Sequence, residues 1–146
     1  MTPLYLLAAG LCCLAGCTKD DSFSPRIDAA FNQPLTLRDQ QRAALPSQSS
    51  PELTISVDTL KESRCPRNAN CLTGGTARVV LGIQDRGGAI QALALKLMGQ
   101  STTIDSAAVQ ANGRRYVVVL HAVNPYPNGT ETAQDQRQVV LTVRRR

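Results

Sequence analysis

From Leu53 onward the chain alternates apolar and polar residues with a period of two. Leu53, Ile55 and Val57 alternate with Thr54, Ser56 and Asp58. Ala77, Val79, Leu81 and Ile83 alternate with Arg78, Gly82 and Gln84, although Val80 breaks the polar side. Leu93, Leu95 and Leu97 share one side, opposite Lys96, and Val139, Leu141 and Val143 alternate with Gln138, Thr142 and Arg144. Successive side chains of a strand point to opposite faces, so each run predicts a strand with one face in a core. Tyr116–Val123 is apolar on both sides apart from His121, the pattern of a central strand covered on both faces. Shorter strands are expected at Pro34–Arg38 and Thr102–Ile104. Turn signals punctuate the runs at Gly74-Gly75, Asp85-Arg86-Gly87-Gly88, Asn112-Gly113 and Asn124–Gly129. About seven short strands of this kind predict an all-β fold, a single antiparallel β-sandwich of immunoglobulin-like size. Asp39–Leu45, rich in helix formers, is the one stretch expected to make a helical turn, before Pro46.

Residues 1–30 do not share this period. The apolar run Leu4–Leu14 is about half the roughly 20 residues a helix needs to cross a bilayer. It leads into small residues, as a cleaved export signal does. The run closes on Leu14-Ala15-Gly16-Cys17, which resembles the lipobox of a bacterial lipoprotein signal peptide, although Met1-Thr2-Pro3 lacks the usual Lys or Arg. The resemblance implies that residues 1–16 are removed, that the Cys17 thiol is lipidated, and that the protein is held to a membrane by this anchor. Thr18–Ala30, polar and broken by Pro25, reads as a flexible tether spanning about 20 Å. Lys19-Asp20-Asp21 resembles the basic-then-acidic signal that sends some lipoproteins to the cell surface. Position 18 is Thr rather than the Asp that holds others at the inner membrane. The expected location is the outer membrane, on its periplasmic face or at the cell surface. The organisation is then signal peptide 1–16, lipidated cysteine and tether 17–30, and sandwich 31–146.

This reading accounts for the cysteines. Cys12 and Cys13 leave with the signal and Cys17 takes the lipid, so Cys65 and Cys71 remain as an even pair in an oxidising compartment. Pro66, Asn68 and Asn70 favour a bend between them, and a disulfide is expected. Its spacing is not that of a redox-active pair, and two thiols with the distant His121 do not make a zinc site.

The densest motif is Glu62-Ser63-Arg64-Cys65-Pro66, with Cys71 and then Gly74-Gly75-Thr76-Ala77. Together with a later Pro125-Tyr126-Pro127 turn, it resembles a family of small envelope lipoproteins carrying Ser-Arg-Cys-Pro-x4-Cys, over roughly Leu53–Arg146. The aromatic residue often found after the second cysteine is replaced here by Leu72-Thr73. The resemblance implies a fold and a location rather than a reaction. Arg64 and Arg67, in and beside the disulfide loop, are the candidate binding-loop residues.

Net charge is +5. The basic residues are scattered, with one cluster at Arg144-Arg145-Arg146, and no aromatic interleaving suggests base stacking. No nucleic-acid partner is expected, and the basic tail suits water or anionic lipid headgroups. His121 is the single histidine. Asp58, Glu62, Asp85, Asp105, Glu131 and Asp135 lie in separate segments, so no catalytic, metal or cofactor residues are assigned. Asp58-Thr59-Leu60 and Asp105-Ser106-Ala107 resemble O-glycan attachment triplets. The expected function is a lipid-anchored, non-enzymatic envelope or cell-surface lipoprotein, a binding or structural module, with an envelope or extracellular protein as the expected partner. Two alternatives stand beside it: a peptidase-inhibitor-like loop presenting Arg67, and an envelope enzyme or metal site around His121.

Overall fold

The computed structural model describes residues 25–99, 104–130 and 132–146. Nine strands occur among them: β1 (Ile27–Asp28), β2 (Pro34–Arg38), β3 (Arg42–Leu45), β4 (Leu53–Glu62), β5 (Thr76–Asp85), β6 (Ile90–Met98), β7 (Asp105–Ala111), β8 (Arg114–Asn124) and β9 (Gln138–Arg145). They form a five-stranded sheet in the order β1-β3-β4-β5-β6 and a four-stranded sheet in the order β2-β9-β8-β7. Every ladder is antiparallel except the short β1–β3 pair. The sheets face each other as a sandwich.

The period-two runs build the core. Leu53, Ile55 and Val57 meet Leu81, Ile83, Leu95, Tyr116, Val118, Leu120, Leu141 and Val143, all buried. Two bulges shift the alternation. One lies between Val57 and Thr59 and turns Leu60 inward; the other lies between Leu120 and Ala122 and turns Val123 inward.

The structure departs from the sequence expectation in several elements. There are nine strands rather than about seven. Arg42–Leu45 is strand β3, not part of a helical turn: pairing with Leu53–Ser56 overrides the helix propensity of Ala43, Ala44 and Leu45. The last residues of the expected tether are part of the fold. Ile27 and Asp28 pair with Ala43 and Ala44, and Ile27 and Ala29 pack on the core. β7 was not anticipated, and only Ile104 of the strand expected at Thr102–Ile104 is described. β8 is central in its sheet, yet its outer face is only partly covered, with Val117 half-buried and His121 exposed. The signal segment 1–16, Cys17 and tether residues 18–24 lie outside the described residues.

The long strands run between two ends of the sandwich. At the hairpin end, Leu53 lies opposite Asp85 and Tyr116 opposite Arg145; at the loop end, Glu62 lies opposite Ala77 and Asn124 opposite Gln138. Ten-residue β4 separates the ends by about 30 Å. The β7–β8 hairpin turns on Asn112 and Gly113, both at positive φ (52° and 68°), as a two-residue hairpin turn requires. Asn112 also joins three segments: its Nδ2 donates to the Glu52 carbonyl at 2.7 Å, and its Oδ1 accepts from Arg86 N at 3.0 Å. Tyr116 Oη donates to the Glu52 carboxylate, and Phe31 stacks on the Tyr116 ring at 5.9 Å.

The β6 and β7 edges lie side by side. Lys96 N on β6 donates to Asp105 Oδ2 at 2.8 Å, and Gln91 Nε2 donates to the Gln110 carbonyl on β7 at 2.6 Å.

Candidate functional site

β4 ends at Glu62, and the chain passes through Ser63 and Arg64 into the cysteine loop. Ser63 is held by Thr76: its N donates to the Thr76 carbonyl at 2.9 Å and its Oγ donates to the same oxygen at 2.7 Å. Gly74-Gly75, expected as hairpin punctuation, is instead a point of close approach. A Cβ on Gly75 would lie 1.8 Å from the Ser63 carbonyl oxygen, and its φ of +64° is left-handed.

Arg64 points inward and is buried. Its peptide N and its Nε each donate to Glu62 Oε1 at 2.9 Å, and Nη2 donates to Glu62 Oε2 at 2.5 Å. The same Nη2 reaches across to the Val123 carbonyl of β8 at 2.7 Å. Arg137 Nη1 approaches Glu62 Oε2 at 3.6 Å from the other side. The Glu62 side chain, only 3% exposed, therefore lies between two guanidinium groups. Burial of a carboxylate is tolerable only with such pairing.

Tyr126 closes the arrangement. The Arg64 guanidinium carbon sits 4.4 Å from its ring centroid and that of Arg67 sits 5.1 Å away. Its Oη donates to the Cys65 carbonyl at 3.1 Å. Cys65 and Cys71 form a disulfide with a Cα–Cα distance of 5.9 Å. Cys65 N donates to the Gly74 carbonyl at 2.9 Å, and Arg67 N donates to the Pro127 carbonyl at 3.1 Å. The Ser-Arg-Cys-Pro segment and the Pro-Tyr-Pro turn are thus two halves of one clasp.

The disulfide is where the sequence places it. Arg64 is buried rather than displayed on the surface, its Nε and Nη2 taken up by the Glu62 carboxylate and the Val123 carbonyl. Arg67 does stand on the exposed loop, over Tyr126. Residues 67–74 are exposed throughout, and Leu72 is fully so. Beside the clasp, Lys61, Glu62, Arg78 and Arg137 line a cleft of about 490 Å³, three cationic side chains to one carboxylate, so the loop end carries a net positive charge there. The partnerships of Glu62, Tyr126 and Arg137 were missed, although the first two stand inside the quoted motifs.

His121 is exposed on the outer face at the β8 bulge, its Nε2 3.0 Å from Thr142 Oγ1. Among the described residues, no group of three His, Cys, Asp or Glu side chains is placed to hold a metal ion. Of the two glycan-like triplets, Ser106 is exposed on edge strand β7 and Thr59 is half-buried at the β4 bulge. Comparison of the chain with protein-family models, curated proteins and solved structures gives no match.

Proposed function

We propose that this protein is a lipid-anchored, non-enzymatic binding module of the bacterial outer membrane, carried by lipid on Cys17 and presenting the clasped disulfide loop to a protein partner. The observation that carries the reading is a loop that is both exposed and immobilised. The disulfide, the Tyr126–Cys65 hydrogen bond and the Arg67–Pro127 hydrogen bond fix the backbone, while residues 67–74 stay in water. A loop ordered in advance loses little conformational entropy on binding. With Leu72 and the cationic cleft beside it, the surface suits a partner offering an apolar pocket ringed by carboxylates. The Leu14-Ala15-Gly16-Cys17 run supports the anchor.

The inhibitor-like alternative draws no support from the loop. The Arg67 guanidinium lies against Tyr126 and its peptide N–H is already bonded. An enzyme around His121 would have Thr142 Oγ1, 3.0 Å from Nε2, as its hydroxyl, and the described contacts place no carboxylate against the imidazole to orient it.

Fractionation of cells making the whole chain tests the reading. The wild-type protein is expected in the detergent phase, and Cys17→Ser is expected to accumulate as a larger precursor or a soluble form. Cleavage after Gly16 with unchanged membrane fractionation of Cys17→Ser would overturn the anchor. Crosslinking in intact cells from a probe at Leu72 reads the second half of the proposal. A defined adduct lost in Arg78→Glu supports the loop end as the binding surface, and an adduct pattern identical to that of a probe at His121 overturns it.

A further inference from the structure

The topology gathers arginines at the hairpin end that are remote in sequence. Arg114 and Arg115 open β8, Arg144 and Arg145 close β9 beside them, and Arg146 N donates to the Arg115 carbonyl at 2.9 Å. Arg86, on the β5–β6 hairpin, is drawn to the same end through Asn112. All six are exposed. Among the described residues the acidic side chains at this end are Asp28, Glu52 and Asp85, each engaged within the domain, and Asp20 and Asp21 stand in the stretch that leads from Cys17 to Arg26. Asp28 Oδ1 accepts from Gln48 N at 2.6 Å, and Asp85 Oδ1 accepts from Ala89 N at 2.9 Å. Glu52 is shared by Tyr116 and Arg145.

The chain also enters the fold here. The Arg26 carbonyl accepts from Gln48 Nε2 at 2.9 Å, and Arg26 lines one cleft with Glu52, Asp85, Arg86 and Gly88. From Cys17 to Arg26 the chain reaches at most about 30 Å even when fully extended, the same as the length of the sandwich. The loop end is cationic too, so charge alone does not choose between the ends. The point of chain entry lies nearer the hairpin end, since Ile27 is level with Ile55, two positions from Leu53 and seven from Glu62, and this end has the shorter path to the anchor.

We propose that the hairpin end docks on the phosphate-bearing surface of the bilayer that holds the anchor, setting the sandwich upright with the disulfide loop turned away from the membrane. The inference rests on the lipid-anchor reading above. Guanidinium groups suit the task, since they stay charged at any physiological pH and bind phosphate oxygens in bidentate fashion. Each arginine brought to an anionic leaflet strengthens binding about fivefold.

The test uses the whole protein purified from membranes and reconstituted into vesicles of phosphatidylcholine, with or without phosphatidylglycerol. A fluorophore is attached at Gly87→Cys on the hairpin end or at Ala133→Cys on the loop end, and a quencher is carried on the lipid headgroups. In anionic vesicles the Gly87 probe is expected to be quenched several-fold more than the Ala133 probe. The difference is expected to vanish in 0.5 M salt (about a 4 Å screening length), in neutral vesicles and in Arg114→Glu/Arg115→Glu. Arg38→Glu/Lys96→Glu at the other end leaves it unchanged. Equal quenching of the two probes, or a difference indifferent to salt and to the Arg114 and Arg115 changes, overturns docking. Flotation with neutral vesicles reads the anchor separately. A protein that floats only with anionic vesicles, and loses this with the Arg114 and Arg115 changes, refutes the anchor and keeps the docking surface. Retention on a soluble polyanion without binding to anionic vesicles overturns docking in favour of a different class of partner.

Discussion

The Arg64 guanidinium lies 4.4 Å from the Tyr126 ring centroid while its nitrogens grip Glu62 and the Val123 carbonyl. One buried cation therefore joins the end of β4, the cysteine loop, β8 and the Pro-Tyr-Pro turn. Removing it leaves the Glu62 carboxylate buried with only Arg137 beside it. Arg64→Ala is expected to cost ~3–5 kcal/mol and to lower the melting temperature by more than about 10 °C. Arg64→Lys is expected to recover little, because an ammonium cannot reproduce the bidentate grip or the stacking. A thermal melt of Arg64→Ala within about 2 °C of wild type would refute the structural role of the pair.

The disulfide adds to the same clasp. Closing the short Cys65–Cys71 loop is worth about 2–2.5 kcal/mol on the loop-entropy formula. Replacing both cysteines with serine is expected to lower the melting temperature by roughly 8–15 °C and to leave the far-ultraviolet circular dichroism β-rich. Loss of the β signal would mean that the loop is needed to form the sandwich rather than to brace it.

Tyr116 sets an alkaline limit. Its phenol is raised above the ordinary value of 10.0, first by burial and then by its hydrogen bond to the Glu52 carboxylate. A raised folded-state value means that the neutral phenol is favoured in the fold. The contribution is complete below pH 10 and is lost as pH climbs through the folded value. Wild type is therefore expected to lose stability steeply above pH 10, whereas Tyr116→Phe, less stable at pH 7, shows a shallower decline. Parallel alkaline profiles for the two proteins would contradict this assignment.

Asn112 combines a left-handed backbone with side-chain bonds to Arg86 N and the Glu52 carbonyl. Asn112→Ala removes both bonds and strains the turn, and about 2 kcal/mol of destabilisation is expected from chemical denaturation. Asn112→Asp keeps the bond from Arg86 N and loses the donor to Glu52, so an intermediate loss is expected.

His121 makes one surface hydrogen bond to Thr142. His121→Ala is expected to change stability by no more than about 0.5 kcal/mol, and zinc or a chelator is expected to leave the melt of either protein unmoved. Metal-dependent stabilisation lost in the variant would reopen the metal-site alternative.

The sandwich was legible because its long strands bury one face each, and a strict period of two survives in Leu53–Val57 and Val139–Val143. Short or weakly patterned strands escaped. β1 has two residues, too few for any period, and β3 is written in helix-forming residues whose strand state comes from pairing with β4. β7 carries Ala107, Val109 and Ala111 on its inward side, an apolar signal diluted by alanine. At the candidate site, the disulfide could be inferred by counting cysteines. The clasp could not. Tyr126 donates to the carbonyl of Cys65 across 61 positions, and no local pattern encodes a contact between two loops. Gly74-Gly75 has the composition of a turn, whereas the requirement it meets is set by the Ser63 carbonyl passing against it.

On the lipid-anchor reading proposed above, the Lys96–Asp105 and Gln91–Gln110 bonds at the β6 and β7 edges have a consequence for life in two dimensions. Molecules confined to a leaflet meet their neighbours far more often than molecules diffusing in volume, and always in related orientations. Under that confinement, an open strand edge invites side-by-side polymerisation. Here a carboxylate already occupies one outward N–H of β6 and an amide already occupies one outward carbonyl of β7. A neighbouring copy would have to break bonds before it could add a strand. On that reading, crowding on a leaflet leaves these two edges guarded against the addition of a neighbour's strand.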